Sequence, residues 1–195
     1  MKAQPLRGNL ARIASSLAVA IVLLLTSGSI AGQAAPDVPI ILTIIGPSQP
    51  VPAGQTFLVT VRAEQATNLG AFEFGVAFNQ SILSTDPAWM ALTPFLGSTG
   101  RTTSELRLEN PASLLQPVFG AYSYGSINGP SGAGNLATIQ FQAAAPGVTS
   151  IDLTQVQVTD ADANILPWTT VAGNVTVTGS TGMRRLFLPM LLRGR

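Results

Sequence analysis

Four acidic side chains could in principle supply the carboxylate pair of a glycoside hydrolase: Glu73, Glu105, Glu109 and Asp152. That chemistry needs two carboxyl groups about 5–9 Å apart, and nothing in the spacing of these residues predicts such a separation. The chain also has no histidine and no cysteine. This excludes Ser-His-Asp triads, Cys-His dyads and zinc sites with histidine or cysteine ligands. The sequence therefore predicts a protein that is not an enzyme.

A second polar cluster, Asp160, Asp162 and Asn164, has the D-x-D-x-N spacing that opens a calcium-binding loop. The remainder of the pattern is missing, because Ile165 stands where glycine is needed and Val171 where glutamate is needed. We therefore favour a turn capped by Asx side chains. A calcium site completed by residues from elsewhere is the alternative, and no other cofactor is expected.

Three side chains are candidates for contacts with a partner. The carboxylate of Glu73, which has small neighbours, either pairs with a partner's basic or hydroxyl group or is a solvated charge that prevents aggregation. Tyr122 and Tyr124 are two residues apart and share one face of a strand. If that strand lies beside the one that holds Glu73, the rings could stack on sugars or anchor a protein. The alternative is half-burial under a loop.

Residues 68–84 form the central element that would position these candidates. Aromatic and aliphatic residues alternate there with small ones, which predicts a strand with an aromatic core face and a nearly bare outer face. The inward set is Phe72, Phe74, Val76 and Phe78, and the outward set is Ala71, Glu73, Gly75 and Ala77. Ile82 and Leu83 are expected to extend this strand beyond a turn at residues 79–81.

Short apolar or alternating runs, separated by proline and glycine, predict the other strands. They lie at residues 38–45, 56–63, 101–109, 118–124, 136–143, 151–159 and 171–178. The first run is apolar throughout, which predicts burial on both faces. Between Leu153 and Val156 the apolar phase slips, which indicates a β-bulge. In total, about eight or nine strands and no long helix predict an all-β sandwich or jelly roll.

The first 34 residues have the pattern of a signal peptide. Lys2, Arg7 and Arg12 precede an apolar run at residues 13–25, and small residues at 32–34 suit a cleavage site. The apolar run is shorter than the roughly 20 residues of a membrane span, although an uncleaved N-terminal anchor is the alternative. We expect a secreted protein, extracellular or associated with the cell surface, with no transmembrane span in the mature chain.

The domain expected at residues 36–178 is acidic, although the whole chain has a net charge of +1. It contains all nine acidic residues but only Arg62, Arg101 and Arg107 as basic ones, which gives a net charge of −6. Such a surface argues against nucleic acid as a partner. Residues 179–195 are expected to form a linker and a short basic, apolar tail. This tail is either a sorting signal, a disordered end or an edge strand.

Several segments, in this order and spacing, resemble the cohesin family over residues 38–178. They are VPAG at 51–54, NLGAFEF at 68–74, SGAGNLATIQF at 131–141, IDL at 151–153, VTD at 158–160 and GNVTV at 173–177. The resemblance implies a nine-stranded jelly-roll β-sandwich related to carbohydrate-binding modules. It also implies a partner, because cohesins use one face of the sandwich to hold dockerin modules, which fold around calcium.

On this chain, the resemblance places Ala71, Glu73, Gly75 and Ala77 in the contact face. We therefore expect a module that binds another exported protein, with a dockerin-type partner, in polysaccharide degradation or cell-surface assembly. One alternative is direct carbohydrate binding through Tyr122, Tyr124 and Trp168. The other is a structural surface domain without a specific ligand.

Overall fold

The computed structural model describes residues 38–108 and 117–179. In these two ranges the chain forms twelve strands: β1 (Ile40–Ile45), β2 (Val51–Pro52), β3 (Thr56–Ala66), β4 (Leu69–Phe78), β5 (Leu83–Ser84), β6 (Met90–Leu92), β7 (Thr102–Leu108), β8 (Val118–Tyr124), β9 (Gly132–Ala143), β10 (Gly147–Asp160), β11 (Trp168–Val171) and β12 (Gly173–Thr178). Two short 3-10 helices, Pro87–Trp89 and Pro94–Gly97, are the only helices there, and neither could span a membrane. The all-β class is confirmed.

The described strands outnumber the nine that the resemblance implies, because several are very short: β2 and β5 have two residues each. The predicted signal peptide, most of the predicted linker and tail, and Glu109 lie outside the described residues.

The strands form two six-stranded sheets. In sheet A the order is β11-β1-β3-β9-β5, with β6 also paired to β9. In sheet B the order is β2-β12-β10-β4-β8-β7. All pairs are antiparallel except β1 with β11 and β12 with β2. The central strand β4 therefore has β10 on one side and β8 on the other.

The inner faces of the two sheets meet in one apolar core. In sheet B, the rings of Phe72 and Phe74 lie 6.3 and 6.1 Å from that of Phe119. Phe78 makes an edge-to-face contact with Phe141 of sheet A at 5.1 Å. Because the chain has no cysteine, no disulfide contributes. Burial of such side chains, each worth about 1.5–3 kcal/mol, must stabilise the sandwich.

The central strand has the predicted faces but ends earlier than predicted. Its inward set is buried or packed on the core, and its outward set is partly exposed apart from Gly75. The expectation that Ile82 and Leu83 extend this strand is wrong. The chain turns after Phe78, where Asn79 Oδ1 accepts a 2.9 Å hydrogen bond from the backbone N–H of Ser81. Leu83 then pairs with Ala143 in sheet A.

Two other strands also differ from expectation. Burial of the first strand on both faces is wrong, because Leu42 is fully buried whereas Ile45 is 46% exposed on the solvent side. The strand predicted to begin at Leu136 begins at Gly132, since Gly134 already pairs with Ala63 of β3.

The predicted bulge in β10 is confirmed. The register between β10 and β4 shifts between Thr154 and Gln157. Gln155, one of the two residues between them, has φ of 50°, a left-handed conformation that the extra residue of a bulge can adopt. The bulge places Gln157 directly opposite Glu73.

Candidate functional site

The outer face of sheet B carries all six residues predicted to contact a partner. They are Ala71, Glu73, Gly75, Ala77, Tyr122 and Tyr124. Ala71 lies opposite Tyr122 in the register between β4 and β8, and Glu73 lies opposite Gly120. Successive outward residues of neighbouring strands align in this way across a sheet. Since β8 is the direct neighbour of β4, the tyrosines lie beside the central strand, and the six residues form one surface.

Small residues, called here the glycine floor, surround the side chain of Glu73 on this face. A Cβ atom on Gly120 would lie 2.9 Å from the carbonyl oxygen of Phe72, and one on Gly75 would lie 2.7 Å from Oγ1 of Thr154. At Gly120 the neighbouring backbone leaves no room for a side chain, whereas at Gly75 the side chain of Thr154 occupies that space. In the described part of the chain, no ion pair and no hydrogen bond engages the Glu73 carboxylate. The carboxylate is therefore available to a partner.

One side of the face is apolar. Tyr122 is 40% exposed and Tyr124 is 55% exposed, and their ring centroids lie 6.2 Å apart with planes inclined by 34°. Leu106 of the edge strand β7 is 48% exposed and lies opposite Gly120. The sequence analysis did not select Leu106, although its alternation with polar residues placed it on one face of its strand. These three side chains border the glycine floor.

The other side of the face is polar and acidic. Gln157 and Asp152 of β10 lie opposite Glu73 and Ala77, and Oδ2 of Asp152 accepts a 2.8 Å hydrogen bond from Ser150 Oγ. None of the three arginines between residues 38 and 108 lies on this face. Arg62 belongs to β3 of sheet A, Arg101 is buried, and Arg107 lies over the inward-facing ring of Phe119. The face therefore carries carboxylates without a described cation.

Glu105 does not share the outer face of sheet B with Glu73. Glu105 lies opposite the buried Ala121 in the β7–β8 register, on the inward side of the sheet. There it accepts hydrogen bonds from Arg107 and from the backbone N–H of Leu92 in sheet A, the latter at 2.9 Å. Burial by itself raises the pKa of Glu105, but these hydrogen bonds outweigh it, and the pKa lies below its usual value. Glu105 thus joins the two sheets.

The D-x-D-x-N segment forms an Asx-capped turn, as favoured from the sequence. Asp160 Oδ1 accepts hydrogen bonds from the backbone N–H groups of Asp162 and Asn164, at 2.9 and 2.8 Å. Its Oδ2 accepts another from Asn164 Nδ2 at 2.9 Å. The hydrogen bonds from Asn164 lower the pKa of Asp160. No group of three or more acidic, histidine or cysteine side chains suited to a metal occurs in the described residues. Calcium binding at Asp160, Asp162 and Asn164 stays a prediction.

The structure separates Trp168 from the two tyrosines. Trp168 begins β11, the edge strand of sheet A, where it pairs with Ile40. Tyr122 and Tyr124 lie in sheet B. The grouping of all three aromatic residues into one sugar-binding surface is therefore wrong, because β11 and β8 belong to different sheets.

Comparison with solved structures identifies similar folds. A non-cellulosomal cohesin from the hyperthermophilic archaeon Archaeoglobus fulgidus is 17% identical, with 72% of this chain and 92% of that chain covered and a TM-score of 0.56. The type I cohesin–dockerin complex Coh-OlpC-Doc435 from Clostridium thermocellum gives 10% identity, 73% and 96% coverage, and a TM-score of 0.59. A type II cohesin–X-dockerin complex from Acetivibrio cellulolyticus gives 12% identity, 71% and 99% coverage, and a TM-score of 0.59.

No protein-family model matches the chain, and no curated protein matches it. The similarity therefore lies in the arrangement of the strands. At sequence identities this low, it supports the fold alone. This chain has a cohesin-like fold.

Proposed function

We propose that this chain is an exported, non-catalytic binding module that holds another exported protein on the outer face of sheet B. The partner is of the dockerin type, and the setting is polysaccharide degradation or assembly at the cell surface. Two kinds of support converge on this proposal. Similar folds occur in complexes of cohesins with dockerins. The outer face of sheet B also offers the carboxylate of Glu73, which no described residue engages, beside the exposed side chains of Tyr122 and Tyr124.

The observation that carries the proposal is the position of Glu73. Its carboxylate stands on a floor that includes Gly75 and Gly120, and no described residue engages it. A partner can therefore approach the backbone closely and donate to the carboxylate in a contact that excludes water, where a charged hydrogen bond is stronger than in bulk solvent.

The composition of the face defines the chemistry of the partner. Tyr122, Tyr124 and Leu106 require apolar side chains opposite them, because aromatic anchors contribute most when fully desolvated. Glu73 and Asp152 require lysine, arginine or hydroxyl donors. The expected partner surface is therefore an apolar strip with at least one cation beside it.

Direct carbohydrate binding is the second candidate, supported by the exposure of Tyr122 and Tyr124. Their ring planes are inclined by 34°, so they do not form one flat platform for a sugar ring. A sugar ligand is therefore an outcome that the experiment must be able to detect.

A capture experiment tests the proposal. The whole chain is immobilised, and the secreted proteins of its own organism and soluble polysaccharides are passed over it separately, with calcium and with a chelator. We expect retention of a protein, lost upon chelation because dockerin-type partners fold around calcium. Retention of polysaccharide alone would indicate that the function is carbohydrate binding. Retention of neither would indicate a structural domain without a specific ligand.

Variants locate the contact. Glu73→Arg together with Ala77→Trp should abolish capture of the protein, whereas Glu64→Arg, on β3 of sheet A, is the matched control and should not. Tyr122→Ala with Tyr124→Ala should abolish polysaccharide retention if a sugar is bound instead. Melting curves of the chain alone, with and without calcium, show whether an ion binds at Asp160.

A further inference from the structure

Arg101, which directly precedes β7, is a buried arginine that holds a loop. Its side chain is nearly inaccessible, at 9% exposure. Nε donates to Ser123 Oγ and Nη2 to the Ser123 carbonyl oxygen, both at 2.9 Å. Nη1 donates to the carbonyl oxygen of Gly125 at 3.0 Å and to that of Ile127. One guanidinium group thus ties the end of β8 to the first part of the loop that follows it.

Burial of the Arg101 charge lowers the stability of the fold. In the described part of the chain no carboxylate lies within ion-pair distance of Arg101, and a buried ion without a counter-ion is destabilising even when it is hydrogen-bonded. The carbonyl oxygens of Gly125 and Ile127 belong to a loop on the surface. The fold therefore uses a buried cation to fix a surface loop.

The second part of the same loop is fixed by Asn68. Its Oδ1 accepts a 2.7 Å hydrogen bond from the backbone N–H of Gly129, and its own N–H donates to Ser131 Oγ at 2.9 Å. The N–H of Leu69 donates to the carbonyl oxygen of Pro130, also at 2.9 Å. Gly129 and Pro130 are buried. Residues 125–131, called here the β8–β9 loop, are thus held at both ends.

The side chain that this fixed loop presents is apolar and exposed. Ile127 is 54% exposed, and its Cδ1 lies near Gly100, two residues before Thr102. Thr102 is paired with Tyr124 at the end of the apolar side of the face. Ile127 is therefore an exposed apolar side chain on a loop whose backbone is held by hydrogen bonds.

We propose that the β8–β9 loop is a preformed extension of the partner-binding face, with Ile127 as an apolar contact and Arg101 as its positioning residue. This inference rests on the proposed function, and the occupant is the same protein partner. Ile127 lies near Gly100, two residues before the Thr102 that pairs with Tyr124, so the loop borders the tyrosine side of the face. A loop that is already rigid loses little conformational entropy upon binding, so Arg101 contributes to affinity without touching the partner.

The test uses the whole chain and the secreted protein retained in the capture experiment, with Kd measured by surface plasmon resonance. Ile127→Ser should raise Kd by roughly tenfold, the size expected for an apolar contact at an interface. Leu58→Ser is the matched control, because Leu58 is 61% exposed on β3 of sheet A, and it should leave Kd unchanged. Equal Kd values for these two variants would overturn the proposal.

Arg101→Lys tests the positioning role, because lysine keeps the charge but loses the fork of donors. We expect faster amide hydrogen exchange at residues 126–129 and a higher Kd. In the Arg101→Lys background, Ile127→Ser should have a smaller effect on Kd than in the wild type, a coupling that general destabilisation does not produce. Fully additive effects, or unchanged exchange in the loop, would contradict the positioning role.

The failure of this inference is distinguishable from that of the proposed function. If Glu73→Arg together with Ala77→Trp abolishes capture while Ile127→Ser does not change Kd, the loop is not part of the contact and the proposed function stands. If the wild-type chain retains no protein, both are overturned.

Discussion

Gly120 lies directly opposite Glu73, and a Cβ atom at Gly120 would come within 3.3 Å of Cβ of Glu73 and 2.9 Å of the backbone oxygen of Phe72. The two strands, β4 and β8, are therefore too close at this point for a side chain at position 120. A side chain at position 120 would therefore press on both the backbone of β4 and the side chain of Glu73.

Gly120→Ala should destabilise the fold. The added methyl group would overlap a backbone oxygen that cannot move without a shift of β4, and overpacking of this kind costs about 1–3 kcal/mol. Urea denaturation measures the loss. Gly179→Ala is the control, because a Cβ there would have no atom within 4 Å. An unchanged unfolding free energy for Gly120→Ala would show that β4 and β8 separate easily.

Phe74→Ala should cost about 3–5 kcal/mol of unfolding free energy, the usual range for truncation of a buried aromatic ring. The ring of Phe74 is fully buried and contacts those of Phe72 and Phe119. Tyr124→Ala, an exposed aromatic truncation in the same sheet, should change the unfolding free energy far less. Similar losses for both variants would mean that Tyr124 is part of the core.

Gln155→Gly should be more stable than Gln157→Gly by about 1–2 kcal/mol. Gln155 has φ of 50°, which glycine adopts without the strain of a side chain. Gln157 is a paired residue of β10, where glycine adds only conformational entropy to the unfolded state. Chemical denaturation of both variants measures the difference. Equal stabilities would show that the left-handed conformation at Gln155 carries no strain.

Acid should destabilise the domain through Asp160 and Glu105. Both pKa values are lowered in the folded protein, so both groups stabilise the fold above their ordinary values of 3.8 and 4.5. This contribution is lost as the pH falls through the lowered pKa values. Asp160→Asn should therefore be less stable than wild type at pH 7 and should approach it at the lowest pH. Denaturation midpoints between pH 7 and pH 2 measure this convergence, and a constant difference would contradict it.

Local sequence patterns were sufficient to predict the structural elements that depend on residues close together in the sequence. The alternation of residues around Glu73 predicted both faces of β4. The slip in the apolar phase between Leu153 and Val156 predicted the bulge. The all-β class followed from the same periodicity, because a pleated strand repeats every two residues.

The parts that were not predicted depend on long-range pairing. Leu83 looked like a continuation of β4, and only its pairing with Ala143 in the other sheet shows otherwise. Nothing near Arg101 in the sequence indicates that its side chain is buried, since its hydrogen-bond partners lie at residues 123–127. Trp168 was wrongly grouped with Tyr122 for the same reason.

The parallel pairs β1–β11 and β12–β2 have a consequence for the time course of folding. Each joins a strand within the first fifteen residues of the described chain to one in its last twelve, so each sheet needs both ends of the domain before it is complete. Domains dominated by such distant pairings fold in roughly milliseconds to seconds, far more slowly than helical bundles. Neither sheet can be completed on a partial chain. Among the described strands β2 pairs with β12 alone and must wait for it, whereas β1 can pair with β3 before β11 is available.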